Sequence, residues 1–194
     1  MADDFGCGSI SLILGCMWSG KTTELLRQID RYIFAGKRVL LIKPSFDERY
    51  SKSDIVTHPD SQSNQTSLVA RTVKTLSEID ILELKFAYDI IGVDEGNFFG
   101  DELSECCDKW ANIGKIVIIA ALNSNFKREN FGYIIDLIPK AEHIVKLSAI
   151  CFRCKKKAHF THRKNDNNEE KVLGGKDIYE ALCRKCFIFA DSSK

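Results

Sequence analysis

Residues 15–22 read GCMWSGKT and follow the apolar run at residues 10–14. This string matches G-x-x-x-x-G-K-[ST], the P-loop, whose backbone N–H groups surround phosphate oxygens. The lysine of the motif reaches the β- and γ-phosphates, and the hydroxyl that follows it meets Mg²⁺. Glycines let the backbone approach the anion at positive φ, and a helix that begins near Lys21 directs its positive end toward the phosphates. The stretch predicts a magnesium-nucleotide site that contains Gly15, Met17, Ser19, Gly20, Lys21 and Thr22.

Two acidic residues follow the apolar run at residues 90–93. Asp94 and Glu95 come directly after this predicted strand, where parallel strands open onto a ligand crevice. By itself, an acidic pair after a strand is more often a solvated turn. Because a P-loop is present, we predict instead that Asp94 supports the hydrated Mg²⁺ and that Glu95 acts as a base or positions a water.

Four runs rich in Ile, Val and Leu predict strands buried on both faces, at residues 9–14, 38–42, 88–93 and 116–122. Helical patterns alternate with them at residues 21–34, 76–84 and 101–113. This alternation predicts a parallel sheet in an α/β fold of the P-loop NTPase type (recombinase-like). Gly36 is placed to end the first helix, and the polar residues 51–67 predict a long loop.

The composition is that of an ordinary globular protein, with 44% hydrophobic and 28% charged residues. The 28 Lys and Arg side chains nearly balance the 27 Asp and Glu, so no overall field favours a nucleic acid or a membrane as partner. The longest apolar run, residues 116–122, is far shorter than the ~20 residues that cross a bilayer. The acidic residues after Met1 are unlike a secretory signal, and we expect a cytoplasmic protein.

Four of the eight cysteines form two Cys-x-x-Cys pairs: Cys151, Cys154, Cys183 and Cys186. In a reducing compartment, such pairs hold a metal more often than they form disulfides. They predict a structural Zn²⁺ in a closed four-thiolate shell, which leaves no open position for catalysis. The region around these cysteines is too poor in apolar residues to fold without a bound metal. We therefore predict two domains, residues 1–147 and 148–194.

Other polar and sulfur-containing residues receive structural interpretations. His159 and His162 stand too close to Cys154 for a compact zinc finger, and we predict that they are solvated loop residues. The lysines at residues 155–157 predict a solvated face. The remaining cysteines are predicted to be small buried apolar side chains: Cys7, Cys16, Cys106 and Cys107. Cys16 lies in the P-loop and would be reactive if it were exposed.

Five segments in order extend over nearly the whole chain: GCMWSGKTTELLR, IKPSFDERYS, VDEGNFF, AALNSNFKRENFG and, between the cysteine pairs, VLGGKDIY. Together they resemble the thymidine kinases of the cellular and poxviral type. The resemblance implies transfer of the γ-phosphate of ATP to the 5′-hydroxyl of deoxythymidine. It also implies a homotetramer, thymidine triphosphate as a feedback inhibitor, and a zinc-held lasso that closes over the base.

The resemblance assigns roles to individual residues. Lys21 meets the ATP phosphates, Glu95 is the general base on the 5′-hydroxyl, and Arg49 offsets charge near the transferring phosphate. Asp47 meets the sugar 3′-hydroxyl through its backbone. The positions that enclose thymine are Met17, Phe98, Leu122, Phe126 and Phe131, with Phe126 as the stacking ring. Those in the lasso are Val172, Gly174, Gly175 and Tyr179. The alternative interpretation of Phe126 and Phe131 is that they are core residues.

The sequence departs from the family's usual residues at Cys16, Trp18, Asn97, Gly100 and Asn123. Proline is common in the family at two of these positions, Cys16 and Gly100. Its loss predicts a looser phosphate loop and a looser turn after Phe99.

Two other functions are compatible with the separate motifs. A nucleic-acid-dependent P-loop ATPase with a zinc ribbon is one, although such motors usually need two cores of this kind. A nucleotide sensor that binds thymidine triphosphate without phosphoryl transfer is the other.

Overall fold

Six parallel strands form the central sheet of the computed structural model, which describes residues 7–45, 68–164 and 174–192. In chain order they are β1 Ser9–Gly15, β2 Val39–Pro44, β3 Leu68–Val73, β4 Ile90–Val93, β5 Ile116–Leu122 and β6 His143–Leu147. Their order across the sheet is β3-β2-β4-β5-β1-β6. The predicted α/β fold with a parallel sheet is confirmed. Asp47, Arg49, Val172 and the loop predicted at residues 51–67 lie outside the described residues.

Three helices pack against the two faces of this sheet: α1 Lys21–Phe34, α2 Ile81–Ala87 and α3 Glu102–Asn112. Leu25 and Ile29 of α1 belong to the core on one face, and Leu103 and Trp110 of α3 belong to the core on the other. Burial on both faces explains why the central strands are continuous apolar runs. In the part of the chain that the structure describes, the helices are too short or too polar to cross a membrane.

The register of the strands brings the predicted site residues to one edge of the sheet. Gly15 at the end of β1 lies opposite Leu122 of β5, and Val93 at the end of β4 lies opposite Ile119. The segments that follow β1, β4 and β5 therefore leave the sheet from the same edge. Ligands of α/β sheets bind at this carboxyl edge.

The first helix has its predicted bounds, and its end is explained by Gly36. This glycine has a φ of 75°, which allows its N–H to donate to Ile33 O while the N–H of Lys37 donates to Tyr32 O. The two hydrogen bonds form a Schellman motif. The prediction that Gly36 ends α1 is confirmed.

The helix predicted at residues 76–84 is wrong as a single element. A 3-10 turn occupies Leu76–Glu78, and α2 begins only at Ile81. The Asp80 carboxylate accepts a hydrogen bond of 2.9 Å from the N–H of Leu82, which is the arrangement of a side-chain N-cap. Asp80 therefore starts a new helix within residues 76–84, which the apolar periodicity had predicted to be one helix.

The two edge strands, β3 and β6, were not predicted. Each pairs with one neighbour only, β3 with β2 and β6 with β1. Because an edge strand is less enclosed than a central one, both sequences mix apolar with charged residues, LVARTV and HIVKL. The all-apolar pattern that identified the central strands is therefore absent from both.

From residue 148 onward the chain builds a small region that we call the four-cysteine unit (described residues 148–164 and 174–192). Its elements were not predicted and are β7 Ala149–Ile150, β8 Lys157–Ala158, β9 Phe160–Arg163, β10 Tyr179–Leu182 and α4 Arg184–Asp191. β7 pairs with β8 and β9 pairs with β10, both antiparallel. The core of the unit includes Ala158, Leu182 and Phe187, together with Cys16 from residues 15–22.

Candidate active site

Residues 15–22, here called the phosphate loop, connect β1 to α1 as predicted. Gly20 has a φ of 82° and Trp18 a φ of 60°, so the loop turns twice through the left-handed region. A Cβ at Gly15 would lie 2.3 Å from Ser19 Oγ. A larger residue at the first position of the motif would displace the Ser19 side chain, and glycine allows the tight turn that a phosphate site requires.

Lys21, the first residue of α1, folds back over the phosphate loop. Its Nζ donates a hydrogen bond of 3.1 Å to Cys16 O. Burial lowers the pKa of the Lys21 ammonium, against the opposite effect of the Glu95 and Asp94 carboxylates. A triphosphate bound in the loop would supply the negative charge that a desolvated ammonium needs.

Thr22 and Asp94 meet at the carboxyl edge of the sheet. Thr22 Oγ1 donates to Asp94 Oδ1 over 3.0 Å, and Asp94 is only 4% exposed. Burial raises the pKa of the Asp94 carboxyl, while its hydrogen bonds from Thr22 and from the N–H of Glu95 lower it. A hydroxyl and a carboxylate at this distance are the oxygen ligands that Mg²⁺ takes beside nucleotide phosphates, so the residues fit the metal.

Glu95 has an unusual backbone conformation. Its φ of 52° lies in the left-handed region, which costs a non-glycine residue of order 1–3 kcal/mol and is common at functional sites. Its N–H donates to Asp94 Oδ1 over 3.0 Å, and its C=O accepts from Phe98 N over 3.1 Å. The chain therefore turns sharply after β4, and two successive acidic residues are held at the edge.

Asn97 joins three of the residues predicted to enclose the base. Its Nδ2 donates to Leu122 O over 2.9 Å and to Phe131 O over 3.0 Å. The rings of Phe98 and Phe131 meet edge to face, with centroids 5.7 Å apart. Sequence reasoning treated Asn97 only as a departure from the family and missed this role. The presence of a short amide side chain close to the end of a strand could have indicated this role of Asn97.

Phe126 and Tyr179 are brought together by Arg163, which sequence reasoning also missed. The Arg163 guanidinium carbon lies 3.8 Å from the Phe126 ring centroid, and Nη2 donates to Tyr179 Oη over 2.7 Å. Arg163 is 1% exposed. A buried guanidinium on an aromatic face is a strong cation–π contact, so it fixes the orientation of the Phe126 ring.

Gly174 and Gly175 lie at the start of the segment that leads to β10. Gly175 N donates to Asp177 Oδ1 over 3.0 Å, and Gly175 O accepts from Tyr179 N over 2.9 Å. This turn brings the described end of the predicted lasso next to Tyr179.

The four cysteines predicted to hold zinc form one cluster. Their Sγ atoms lie within 4.8 Å of one another, and Cys154 Sγ is 3.5 Å from Cys183 Sγ. A tetrahedral Zn²⁺ with Zn–S bonds of ~2.3 Å separates its sulfurs by about 3.8 Å. The backbone N–H of Cys186 points at Cys183 Sγ and lowers the pKa of that thiol, which favours the thiolate. The donor set fits zinc.

The prediction for His162 is wrong, since this residue is 4% exposed on β9. Its Nδ1 lies 3.1 Å from Glu180 Oε1 on the paired strand β10, and its ring meets the Phe187 ring edge to face. Thr161, His162 and Arg163 of β9 are all buried, which the polar run THRK does not reveal. The lysines at residues 155–157 are exposed, as predicted.

The cysteines outside the cluster follow the prediction only in part. Cys107 and Cys16 are buried, but Cys7 is exposed. Cys16 is 1% exposed, so the exposure that its reactivity would require is absent, and burial also raises the pKa of its thiol.

The loosening predicted at Gly100 stays a prediction, but the backbone there shows why proline would not fit this turn. The φ of 70° at Gly100 cannot be adopted by proline, whose ring fixes φ near −65°. Glycine at this position therefore gives the turn after Phe99 a different conformation from the one that proline would require.

Comparison with known proteins agrees with this geometry. The model of the family described as thymidine kinase matches residues 8–187. A thymidine kinase of Amsacta moorei entomopoxvirus is 44% identical over 180 residues, 92% of this chain and 97% of the relative. That of Yaba monkey tumor virus is 45% identical over 93% of this chain and 94% of the relative, and that of vaccinia virus strain Western Reserve is 43% identical over 93% and 97%. The chain belongs to the thymidine kinase family.

Proposed function

We propose that the protein transfers the γ-phosphate of ATP to the 5′-hydroxyl of deoxythymidine and so forms thymidine monophosphate. As a member of its family it is a thymidine kinase, an ATP-dependent phosphotransferase. The observation that carries the assignment of the site is the hydrogen bond of 3.0 Å between Thr22 Oγ1 and Asp94 Oδ1. It joins the last residue of the phosphate loop to the carboxylate that precedes Glu95.

The phosphates of ATP are assigned to the phosphate loop. Lys21 exchanges its hydrogen bond to Cys16 O for phosphate oxygens, because these carry negative charge and the carbonyl does not. Thr22 and Asp94 supply the oxygen atoms that would hold Mg²⁺, directly or through water. Mg²⁺ held there would neutralise charge that develops on the β- and γ-phosphates.

Glu95 is the proposed general base on the 5′-hydroxyl. Its carboxylate raises the pKa of Lys21, which supports a position close to the phosphates. Its left-handed backbone (φ of 52°) allows the Asp94 and Glu95 side chains to serve different partners although they are adjacent in sequence. Arg49 is proposed to offset charge on the transferring phosphate, and Asp47 to contact the sugar 3′-hydroxyl through its backbone.

Thymine is assigned to the aromatic pocket next to β5. Phe98, Leu122 and Phe131 are joined by Asn97, which supports a preformed wall on one side. Phe126 is the proposed stacking ring. Since Arg163 occupies one face of this ring, the base would stack on the opposite face. Met17, Val172, Gly174, Gly175 and Tyr179 are proposed to complete the pocket.

Several further properties belong to the same proposal. Zn²⁺ is proposed in the four-cysteine cluster, in a second domain comprising residues 148–194 that follows the nucleotide-binding domain of residues 1–147. We also propose a cytoplasmic homotetramer that thymidine triphosphate inhibits and that binds neither nucleic acid nor membrane. The exposed apolar side chains Ile144 and Val145 on edge strand β6 support association of copies of the chain.

The test of this function is a phosphorylation assay. We expect the purified protein to convert deoxythymidine to its monophosphate with Mg·ATP, and Glu95→Gln to lower kcat by about 10²- to 10⁴-fold, as expected for loss of a general base. Binding of ATP should be retained, since the phosphate loop is unchanged.

Glu105→Gln is the matched control, because Glu105 lies on α3 and is paired with Lys109 on the surface. A wild-type protein that forms no nucleoside monophosphate would refute the function. A Glu95→Gln variant with wild-type kcat would assign the base to another residue.

A further inference from the structure

Three consecutive residues of the phosphate loop contact the four-cysteine unit. Cys16 Sγ donates to Ala158 O over 3.5 Å, and the N–H of Met17 donates to Thr161 Oγ1 over 3.0 Å. The Trp18 ring packs on the ring of Phe152, with centroids 5.0 Å apart. The loop is therefore bounded by the four-cysteine unit as well as by β1 and α1.

These contacts are buried or partly buried. The Cys16 side chain is 1% exposed and belongs to the core of the four-cysteine unit, together with Ala158 and Phe187. Thr161 is 4% exposed. Because the Thr161 side chain is buried, little water can replace a lost partner of its hydroxyl, so the partly buried bond from Met17 to Thr161 restrains the loop more strongly than a surface contact would.

The conformation of the loop requires such a restraint. Trp18 has a φ of 60°, which is unfavourable for a large side chain and persists only where surrounding structure holds it. Its ring contact with Phe152 supplies part of that hold. The residues at Cys16 and Trp18, where the sequence departs from the family, thus make contacts with the four-cysteine unit.

Strand β9 connects the two halves of the site through one of its faces. Thr161 and Arg163 project to the same face, because side chains alternate along a strand. Thr161 accepts from Met17 in the phosphate loop, and two residues later Arg163 covers Phe126 in the proposed base pocket. The opposite face, with Phe160 and His162, packs on Phe187 of α4.

We propose that Thr161 is a positioning residue for ATP. Thr161 holds the phosphate loop through the N–H of Met17, so the four-cysteine unit supports the ATP site as well as the nucleoside site. This inference rests on the proposed function, since it takes the phosphate loop as the binding site of the ATP phosphates. Thr161 acts through the loop backbone and has no contact with the reacting atoms.

The experiment compares Thr161→Val, which keeps the shape of the side chain but loses the acceptor, with Thr161→Ser, which keeps the hydroxyl. The protein is the full chain loaded with zinc. Four quantities are measured: hydrogen exchange at the Met17 amide by NMR, binding of the magnesium complex of β,γ-imido-ATP by calorimetry, the KM for ATP and the KM for deoxythymidine. Thr72→Val, an exposed position on β3, is the control for the substitution itself.

For Thr161→Val we expect exchange at Met17 to accelerate and the Kd of β,γ-imido-ATP and the KM for ATP to rise by about fivefold, as loss of one buried hydrogen bond predicts. Thr161→Ser should restore all three quantities to near the wild-type values, and zinc content should stay the same. Rescue by serine is the result that a purely packing role would not produce.

Wild-type ATP affinity and wild-type exchange at Met17 in Thr161→Val would overturn the proposal, whatever happens to deoxythymidine. If Thr161→Val does not fold, Cys16→Ala removes the neighbouring bond from Cys16 Sγ to Ala158 O, which also holds the loop to the four-cysteine unit, and should likewise accelerate exchange at Met17. The exchange and calorimetry need no turnover. A protein that failed to phosphorylate deoxythymidine would therefore leave this inference testable, and the two failures would be distinguishable.

Discussion

The phosphate loop edge (residues 15–22 together with Asp94 and Glu95 at the carboxyl edge of the sheet) and the four-cysteine unit hold their functional groups in place in different ways. At the edge, the ends of β1 and β4 and backbone turns at Gly20 and Glu95 position the groups. In the four-cysteine unit, buried side chains from separate segments position one another, as Arg163 does with Phe126 and Tyr179. The first arrangement follows from the regular sheet. The arrangement in the four-cysteine unit exists only when the unit is folded, so it depends on whatever holds the four cysteines together.

The largest effect is expected from removal of zinc, to which the two regions should respond differently. Structural zinc supplies roughly 10–16 kcal/mol of apparent free energy in small modules, more than the short strands of the unit can replace. We expect one zinc per chain, and we expect a chelator to unfold the four-cysteine unit while the sheet persists.

The two tryptophans report on the two regions separately. Trp18 packs on Phe152 in the first cysteine pair, whereas Trp110 is 3% exposed in the core of α3. After chelation, a Trp110→Phe variant should shift its emission to longer wavelength, because its remaining tryptophan becomes exposed. A Trp18→Phe variant should keep its emission. An unchanged Trp18 signal after zinc has been removed would contradict the dependence of the unit on its metal.

Arg163 provides a smaller test inside the four-cysteine unit. Arg163→Met removes the charge from the Phe126 ring and the donor from Tyr179 Oη. The two losses together are worth roughly 1–2 kcal/mol, so we expect the KM for deoxythymidine to rise by about tenfold while the KM for ATP changes little.

The matched control for this test is Arg184→Met, since the Arg184 guanidinium also lies over an aromatic ring, 4.9 Å from the Phe160 centroid, but is exposed. Equal effects of the two substitutions on the KM for deoxythymidine would show that the pocket does not depend on Arg163 in particular.

The same contrast explains which parts of the molecule could be predicted from sequence. The phosphate loop, Asp94 and Glu95 were found because short motifs next to apolar strands encode them locally, and α1 was found by its periodicity. The strands of the four-cysteine unit are two to four residues long, too short for a periodic signal. Arg163 and His162 therefore appeared as members of a polar run, although the folded strand buries both. Their partners on β10 are distant in sequence, and only the pairing of β9 with β10 identifies them.

The smallest expected effect concerns the charge at the phosphate loop edge. Burial raises the pKa of Asp94 above its ordinary value, so the folded protein holds this proton more tightly than the unfolded chain. The ionised carboxylate therefore costs stability above the folded pKa, and this cost disappears as the pH falls below the unfolded value. Without ligands, we expect Asp94→Asn to have a slightly higher Tm than the wild type at pH 7, and the difference should vanish in acid.

Addition of Mg·ATP should reverse this order at pH 7, because ligand that binds only the folded state stabilises it by mass action and the wild type has the carboxylate that the metal requires. The comparison thus distinguishes the stability that the ionised Asp94 carboxylate costs without ligand from the stability that it contributes when Mg·ATP is bound. Ser104→Ala, at a buried hydroxyl of α3 that donates to Asp136 O, is the control for loss of a polar group away from the loop, and its Tm should fall equally with and without Mg·ATP. An Asp94→Asn variant that Mg·ATP stabilises as much as it does the wild type would remove Asp94 from the metal site.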